Sequence, residues 1–267
     1  MHKLKMIGKF YSILIKTKLE YRFNFFLEIF INLFTYVIIF IGLWIILEQF
    51  QHINGWTFYE VMLLYNLNLI TYGLACLFFY VPMQSLEGMV KSGEFDSILV
   101  RPLNPFIHLL LRQRYLGFLS HIMLGVIVFI ICFANLGLQW TFHTTLVFAL
   151  FLIGGSLIQA SIIIATCSLS LKFVRALAVR DTLIYNVREF INYPISIYSR
   201  GIQVVLTFIV PYAFVNFYPA EFLLGKNGDM VPPIAIQFLP ILLGSIMFTL
   251  AYLFFNKLVN QYASTGS

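Results

Sequence analysis

Six mostly apolar stretches, at 25–47, 58–80, 115–135, 145–171, 202–224 and 234–255, constrain this chain more than any other feature. Each is long enough, at about 1.5 Å of rise per residue, to cross a hydrocarbon layer of about 30 Å as one α-helix. The runs are continuous instead of alternating at period two, so helices are expected and not the strands of a barrel. Composition agrees: only 10% of the residues are charged and 60% are hydrophobic, against roughly 25% charged in a soluble domain. With 29 Phe and a mean hydropathy of +0.88, the solvent for most of the chain is read as lipid. Disorder and a secreted disulfide scaffold are excluded by the same numbers. Cys76, Cys132 and Cys167 lie singly in apolar runs, without the spacing of a metal site, and read as small buried hydrophobes.

The basic residues set the expected orientation. The N-terminal segment, the second and fourth connections and the C-terminal end hold sixteen of the seventeen Lys and Arg, and only Lys226 falls on the other side. Basic residues stay cytoplasmic because translocating them is disfavoured, so both termini are expected in the cytoplasm. This topology and lipid headgroups absorb the net charge of +6, and no nucleic-acid partner is needed to explain it. The first apolar run begins after 24 residues, is too long for a signal h-region and lacks a small-x-small exit, so a retained start is expected.

Two domains follow, an amphipathic interfacial segment at 1–24 and a six-span body at 25–267. Lys5, Lys9, Ser12 and Lys16 recur at helical spacing in the first, as in helices that lie in a membrane surface. Within the second, the connection 81–114 is the most patterned. Met83, Leu86, Met89 and Val90 form a short apolar stripe, Gly93 can end its helix, and Pro102 and Pro105 prevent a regular helix through the next turn. Such a face lies on the bilayer, on the protein's own helix ends, or in another subunit. Farther on, Pro211, Pro219, Pro232 and Pro233 surround 212–231, which predicts a break in the fifth helix and a re-entrant hairpin on the outer side, with Glu221 in apolar company.

No phosphate loop, zinc-protease motif or nucleophile elbow is present in the sequence, so ATP hydrolysis and hydrolase chemistry are not expected of this chain. Glu28, Glu60 and Glu221 are the carboxylates nearest membrane depth. The first two fall in first helical turns, where the helix dipole favours them, and the third is read as facing an outer vestibule. Asn66, Asn68, Ser156, Ala160, Ser161 and Ala165 read as interhelical hydrogen bonding and close packing.

At Ser92 to Leu103, reading SGEFDSILVRPL, the sequence resembles the permease subunits of ABC-2-type exporters, in the branch with a Gly-x-x-Asp-x-x-Leu-x-Arg-Pro signature after the second span. The stretch from Tyr193 through Pro211, Pro219 and Gly225 is similar to that family's fifth span and outer re-entrant region, and with six spans the resemblance covers nearly the whole chain. It implies a multi-pass protein of a bacterial inner or plasma membrane, paired with a second permease half, identical or homologous. It also implies separate ATPase subunits that hold ATP and magnesium, with no cofactor on this chain. Region 81–105 would couple to the ATPase through Met83, Leu86, Glu87, Met89, Lys91, Glu94, Phe95, Asp96 and Arg101. Pro211, Pro219 and Glu221 would belong to the re-entrant segment. Cargo would be a hydrophobic or amphipathic compound, a drug, lipid or peptide, passing between the halves. The competing readings are a secondary ion-coupled carrier and a non-transporting membrane scaffold or sensor.

Overall fold

A computed structural model describes residues 22–50, 52–112, 115–138, 140–173, 177–226 and 231–263. Most of the expected interfacial segment, with Arg114 and Arg175, lies outside the described residues, and of Glu28 only the backbone is described. Among the described residues the fold is helical. Five helical stretches are long and apolar enough to cross a membrane, Ile29–Gln49, Phe58–Lys91, Leu116–Leu136, Phe142–Leu171 and Leu239–Asn260. In order, the principal helices are α1 (Arg22–Phe50), α2 (Phe58–Lys91), α3 (Glu94–Leu99), α4 (Pro105–Arg112), α5 (Leu119–Leu136), α6 (Phe142–Ser168), α7 (Leu177–Asp181), α8 (Arg200–Val204), α9 (Phe217–Leu223) and α10 (Leu239–Asn260).

The central element is α2, buried along almost its whole length while α1 is largely exposed. Its 34 residues correspond to about 51 Å at 1.5 Å per residue, well beyond the hydrocarbon thickness. Sequence reading ended this span at residue 80 and began a separate short helix near Met83. The helix instead runs unbroken through Pro82 to Lys91, because Met83, Leu86, Met89 and Val90 continue its buried stripe. Gly93, at φ 70°, makes the turn out of it, a left-handed backbone that glycine adopts without a Cβ penalty. Pro105 also differs from expectation. It begins α4, where Asn104 Oδ1 accepts from the Phe106 N–H at 2.9 Å, since proline at a first helical position lacks only an N–H that would have no partner.

The fifth crossing is the main correction. Residues 202–224 were expected to span the membrane and 172–200 to lie in the cytoplasm. The contacts show 177–197 running antiparallel to α2: Tyr185 hydrogen-bonds Tyr80, Arg188 lies 3.6 Å from the centre of the Tyr72 ring, and Asn68 Nδ2 donates to Asn192 at 3.0 Å. Beyond the start of α2, Asn54 Nδ2 donates to the Ser196 carbonyl at 3.1 Å. This ladder carries the chain from the end of the protein that holds Lys91, Arg101 and Lys257, called here the basic end, to the opposite end. Arg180, Asp181, Arg188 and Glu189 made the segment look like a loop by hydropathy. Its backbone alternates α, π at Thr182–Asn186 and 3-10 at Phe190–Asn192.

Residues expected to be the fifth span form the re-entrant unit itself. Arg200–Ile209 and Tyr212–Leu223 meet at a 76° bend around Pro211. Both ends of the pair are held at the same place: Ser196, four residues before Arg200, accepts from Asn54, and Lys226 Nζ donates to the Gly55 carbonyl at 2.9 Å. The chain thus enters and leaves on one side. Arg188 at depth and Arg200 near the opposite end consequently leave the basic side to which they were counted. The bend stops short of the basic end, and a cavity of about 360 Å³ lies by its tip, lined by Ser161, Ala165, Val210, Met247, Ala251 and Phe254 among others.

α6 and α10 approach backbone to backbone at Gly154 and Gly244, which are not among the Ser and Ala positions named from the sequence. A Cβ on Gly154 would lie 2.4 Å from the Pro240 carbonyl carbon, and one on Gly244 would lie 2.5 Å from the Gly154 oxygen. Gly154→Ala is expected to cost about 1–3 kcal/mol as overpacking, whereas Gly88→Ala, with nothing within 4 Å of the added atom, should be neutral or stabilising by up to about 1 kcal/mol. Thermal unfolding of the two variants in detergent checks the difference. The re-entrant assignment has its own check: cysteines placed at Arg200 and Asn54 should react with an impermeant thiol reagent from the same side of sealed vesicles.

Candidate functional site

Three regions bring chemistry together, and α2 passes through all of them. At the basic end, α3 and α4 form a platform on the tip of α2. Its apolar side faces inward: Met83, Leu86, Met89 and Phe95 are buried within the chain. Phe95 packs edge-on against Tyr262 at 5.1 Å, and Phe106 packs against Tyr252 and Phe255 at 5.2 Å each. Of the expected coupling set, these four therefore hold the platform in place and do not present an apolar face to a partner. Glu87, also buried, accepts from Lys91 Nζ at 2.5 Å. The exposed members are Lys91, Glu94 and Arg101, with Asp96 half-buried.

Polar contacts fix the platform's shape. Arg112 pairs with Glu94 across α3 and α4, and Asn104 Nδ2 donates to the Tyr252 hydroxyl at 3.1 Å. Arg101 donates to Nε2 of His108 at 3.4 Å, which suits a neutral imidazole. Desolvation, and then the charges of Arg101 and Arg112, hold His108 below its ordinary pKa. Val100, 83% exposed, projects from the turn after α3. The result is a small surface carrying both signs of charge, rigidly tied to α2 and α10.

The second region lies at membrane depth. Gly125, near the middle of the third crossing, lies against Ile70 and Asn66 of α2, and Asn66 Nδ2 donates to the Gly125 carbonyl at 2.9 Å. At that level Gln159 Nε2 donates to Thr71 Oγ1 at 2.8 Å, next to the Asn68–Asn192 pair. Asn216 Nδ2 donates to the carbonyls of Ile191 at 2.5 Å and Leu64 at 3.2 Å, tying the re-entrant unit to α2 and the fifth crossing. Amides in such a setting satisfy backbone groups that lipid cannot. Sequence reading found Asn66 and Asn68 but missed Gln159, Asn192, Asn216 and Arg188. The usable signal was the amide spacing Asn186, Asn192 and the break at Pro194, which a charge count over a supposed loop concealed.

The third region closes the opposite end. Glu60 Oε2 accepts from the Thr57 N–H at 2.8 Å and from Lys226 Nζ at 2.8 Å, and Lys226 also sits 4.5 Å from the Trp56 ring centre. Glu60 thus serves as a helix-start acceptor, as its position in the first turn predicted, and also as the ion partner of Lys226. Pro211, Pro219 and Glu221 are buried in the re-entrant unit, and the Glu221 carbonyl accepts from the Lys226 N–H at 2.9 Å. Lys226→Ala is expected to destabilise the closed end by about 1.5–3 kcal/mol, the range of a hydrogen bond to a charged group. Faster protease cleavage near residue 226, with Glu60→Gln adding little in the double variant, is the corresponding readout.

A family model described as ABC-2 family transporter protein matches residues 28–266. No curated protein and no solved structure matches the chain.

Proposed function

The chain belongs to the ABC-2 family of transporters, and from that premise we propose that it is the permease subunit of an ATP-driven exporter. It is a multi-pass membrane protein, a membrane component of an ABC transporter, and the family implies an ABC ATPase partner. In the proposed reading the protein resides in an inner or plasma membrane with its basic end in the cytoplasm, following the remaining bias of Lys and Arg. ATP and magnesium are held by the separate ATPase, with no cofactor on this chain. The ATPase docks on the platform, against Lys91, Glu94, Asp96, Arg101 and the projecting Val100. A second permease half completes the assembly, and a hydrophobic or amphipathic compound passes between the halves.

The observation that carries this reading is the continuity of α2. One helix holds the platform at Lys91, the polar seam at Asn68 and Tyr72, and the closed end at Glu60. Coupling requires a contiguous element whose displacement at one site is felt at another. A rod with amide and aromatic contacts to the fifth crossing supplies that element: tilting it from the platform loads the seam and the Glu60–Lys226 contact together. The buried Met83, Leu86 and Met89 stripe keeps the platform from swivelling independently.

Replacing Glu94 and Asp96 by Lys is expected to abolish transport, and its stimulation of the partner's ATPase, while membrane insertion persists. Because Glu94 also pairs with Arg112, the exchange Glu94→Arg with Arg112→Glu is the companion variant. Restored thermal stability without restored ATPase stimulation would assign the lost activity to the partner surface. Normal stimulation in the Glu94/Asp96 variant would remove the docking assignment.

A further inference from the structure

The fifth crossing differs from the other crossings in what it turns outward. Away from their ends, α1, α2, α5, α6 and α10 expose no charged or amide side chain among the described residues. The fifth crossing exposes Thr182, Asn186 and Glu189, spaced four and three residues apart and so on one helical face. Phe190 and Ile197, each 41% exposed, flank them toward the opposite end. The level is fixed by the neighbours, since Arg188 stacks on Tyr72 and Asn192 bonds Asn68, both close to the mid-depth contact of Gly125 with Asn66 and Ile70.

An outward carboxylate at that depth is strongly disfavoured against hydrocarbon and marks a water-lined path or a protein contact. The irregular backbone points the same way, because π and 3-10 turns at membrane depth persist where protein or water covers them. Asn186 and Glu189 make no hydrogen bond or ion pair among the described residues, and Arg188, next in sequence to Glu189, is turned away onto the Tyr72 ring. The open face thus carries a carboxyl group that makes no ion pair among the described residues. If the other permease half is a second copy, a two-fold axis sets this face against itself, and two facing carboxylates repel instead of pairing.

We propose that this face binds the cargo and that the cargo is an amphipathic organic cation, with Glu189 as its counter-charge, Asn186 as a hydrogen-bond partner and Phe190 beside its apolar part. The inference rests on the reading that cargo passes between two permease halves. Charge matching at low dielectric is stronger than the same contact in water, and an aromatic ring adds attraction for a cation without excluding its apolar groups.

The test uses the tagged full chain, purified with its copurifying ATPase and reconstituted in lipid. Radiolabelled tetraphenylphosphonium is the cationic probe and triphenylphosphine oxide the neutral one. Glu189→Gln is expected to weaken tetraphenylphosphonium binding by at least about tenfold, the scale of one lost charge-assisted contact. Glu189→Asp should retain most of it, and neither should change binding of the neutral probe. Unchanged cation binding in Glu189→Gln, or absence of cation binding in the unaltered complex, overturns the cargo assignment. A separate measurement distinguishes failure of the path: cysteines at Asn186 and Glu189 should react with a charged, water-soluble thiol reagent, and one at lipid-facing Ile246 should not. Reaction at 186 and 189 with no charge effect on binding leaves the path and removes the cation. No reaction at either position removes the path, and the cation with it.

Discussion

Hydrogen bonding where lipid offers none is the constraint on which this structure depends. A membrane-crossing segment made of short α, π and 3-10 turns leaves backbone groups without regular partners. In this chain nearby amides meet part of that demand. Asn216 donates to the Ile191 carbonyl of the irregular segment, Tyr212 donates its hydroxyl to the Leu183 carbonyl at 2.9 Å, and Asn68, backed by Gln159, holds the Asn192 side chain. Without these groups, 177–197 would have no reason to stay at depth, and the re-entrant unit would lose the contact that sets its position.

The polar seam also explains the uneven burial of the crossings. α2 is enclosed because it must reach α5, α6 and the fifth crossing with side chains of different length, whereas α1, which contributes little to the seam, stays largely exposed. Glycine governs a different contact. Gly154 and Gly244 bring α6 and α10 backbone to backbone. The platform is fastened at two points, by α2 through the Met83 and Leu86 stripe and by Tyr252 and Phe255 of α10 with Tyr262 just beyond it.

Much of this was legible in the residues. Apolar runs located α1, α2, α5, α6 and α10, Gly93 marked the end of α2, and the proline cluster marked a re-entrant unit. The fifth crossing was not legible, because hydropathy rewards lipid-facing surface and this segment spends its polarity on internal partners and one open face. Residues 202–224 were misread for the complementary reason: Ile202, Phe208 and Ile209 are apolar and exposed, which suits a segment dipping into lipid as well as one crossing it. The apolar stripe at the end of α2 was legible as a stripe but not in orientation. Spacing identified Met83, Leu86 and Met89 as one stripe, yet only three-dimensional packing decides whether a stripe is turned to a partner or to its own core.

The re-entrant unit gives the molecule a mechanical asymmetry. It fills cross-section from the opposite end to the level of Leu183 and stops short of the basic end, and the cavity of about 360 Å³ lies beside its tip against α6 and α10. Lateral pressure acts on the whole cross-section of a membrane protein, and a bundle filled at one end and open beside α6 and α10 near the other does not present the same cross-section throughout. The cavity is also on the platform side of the re-entrant unit, so the helix ends nearest Lys91 and Glu94 are the ones with open space beside them.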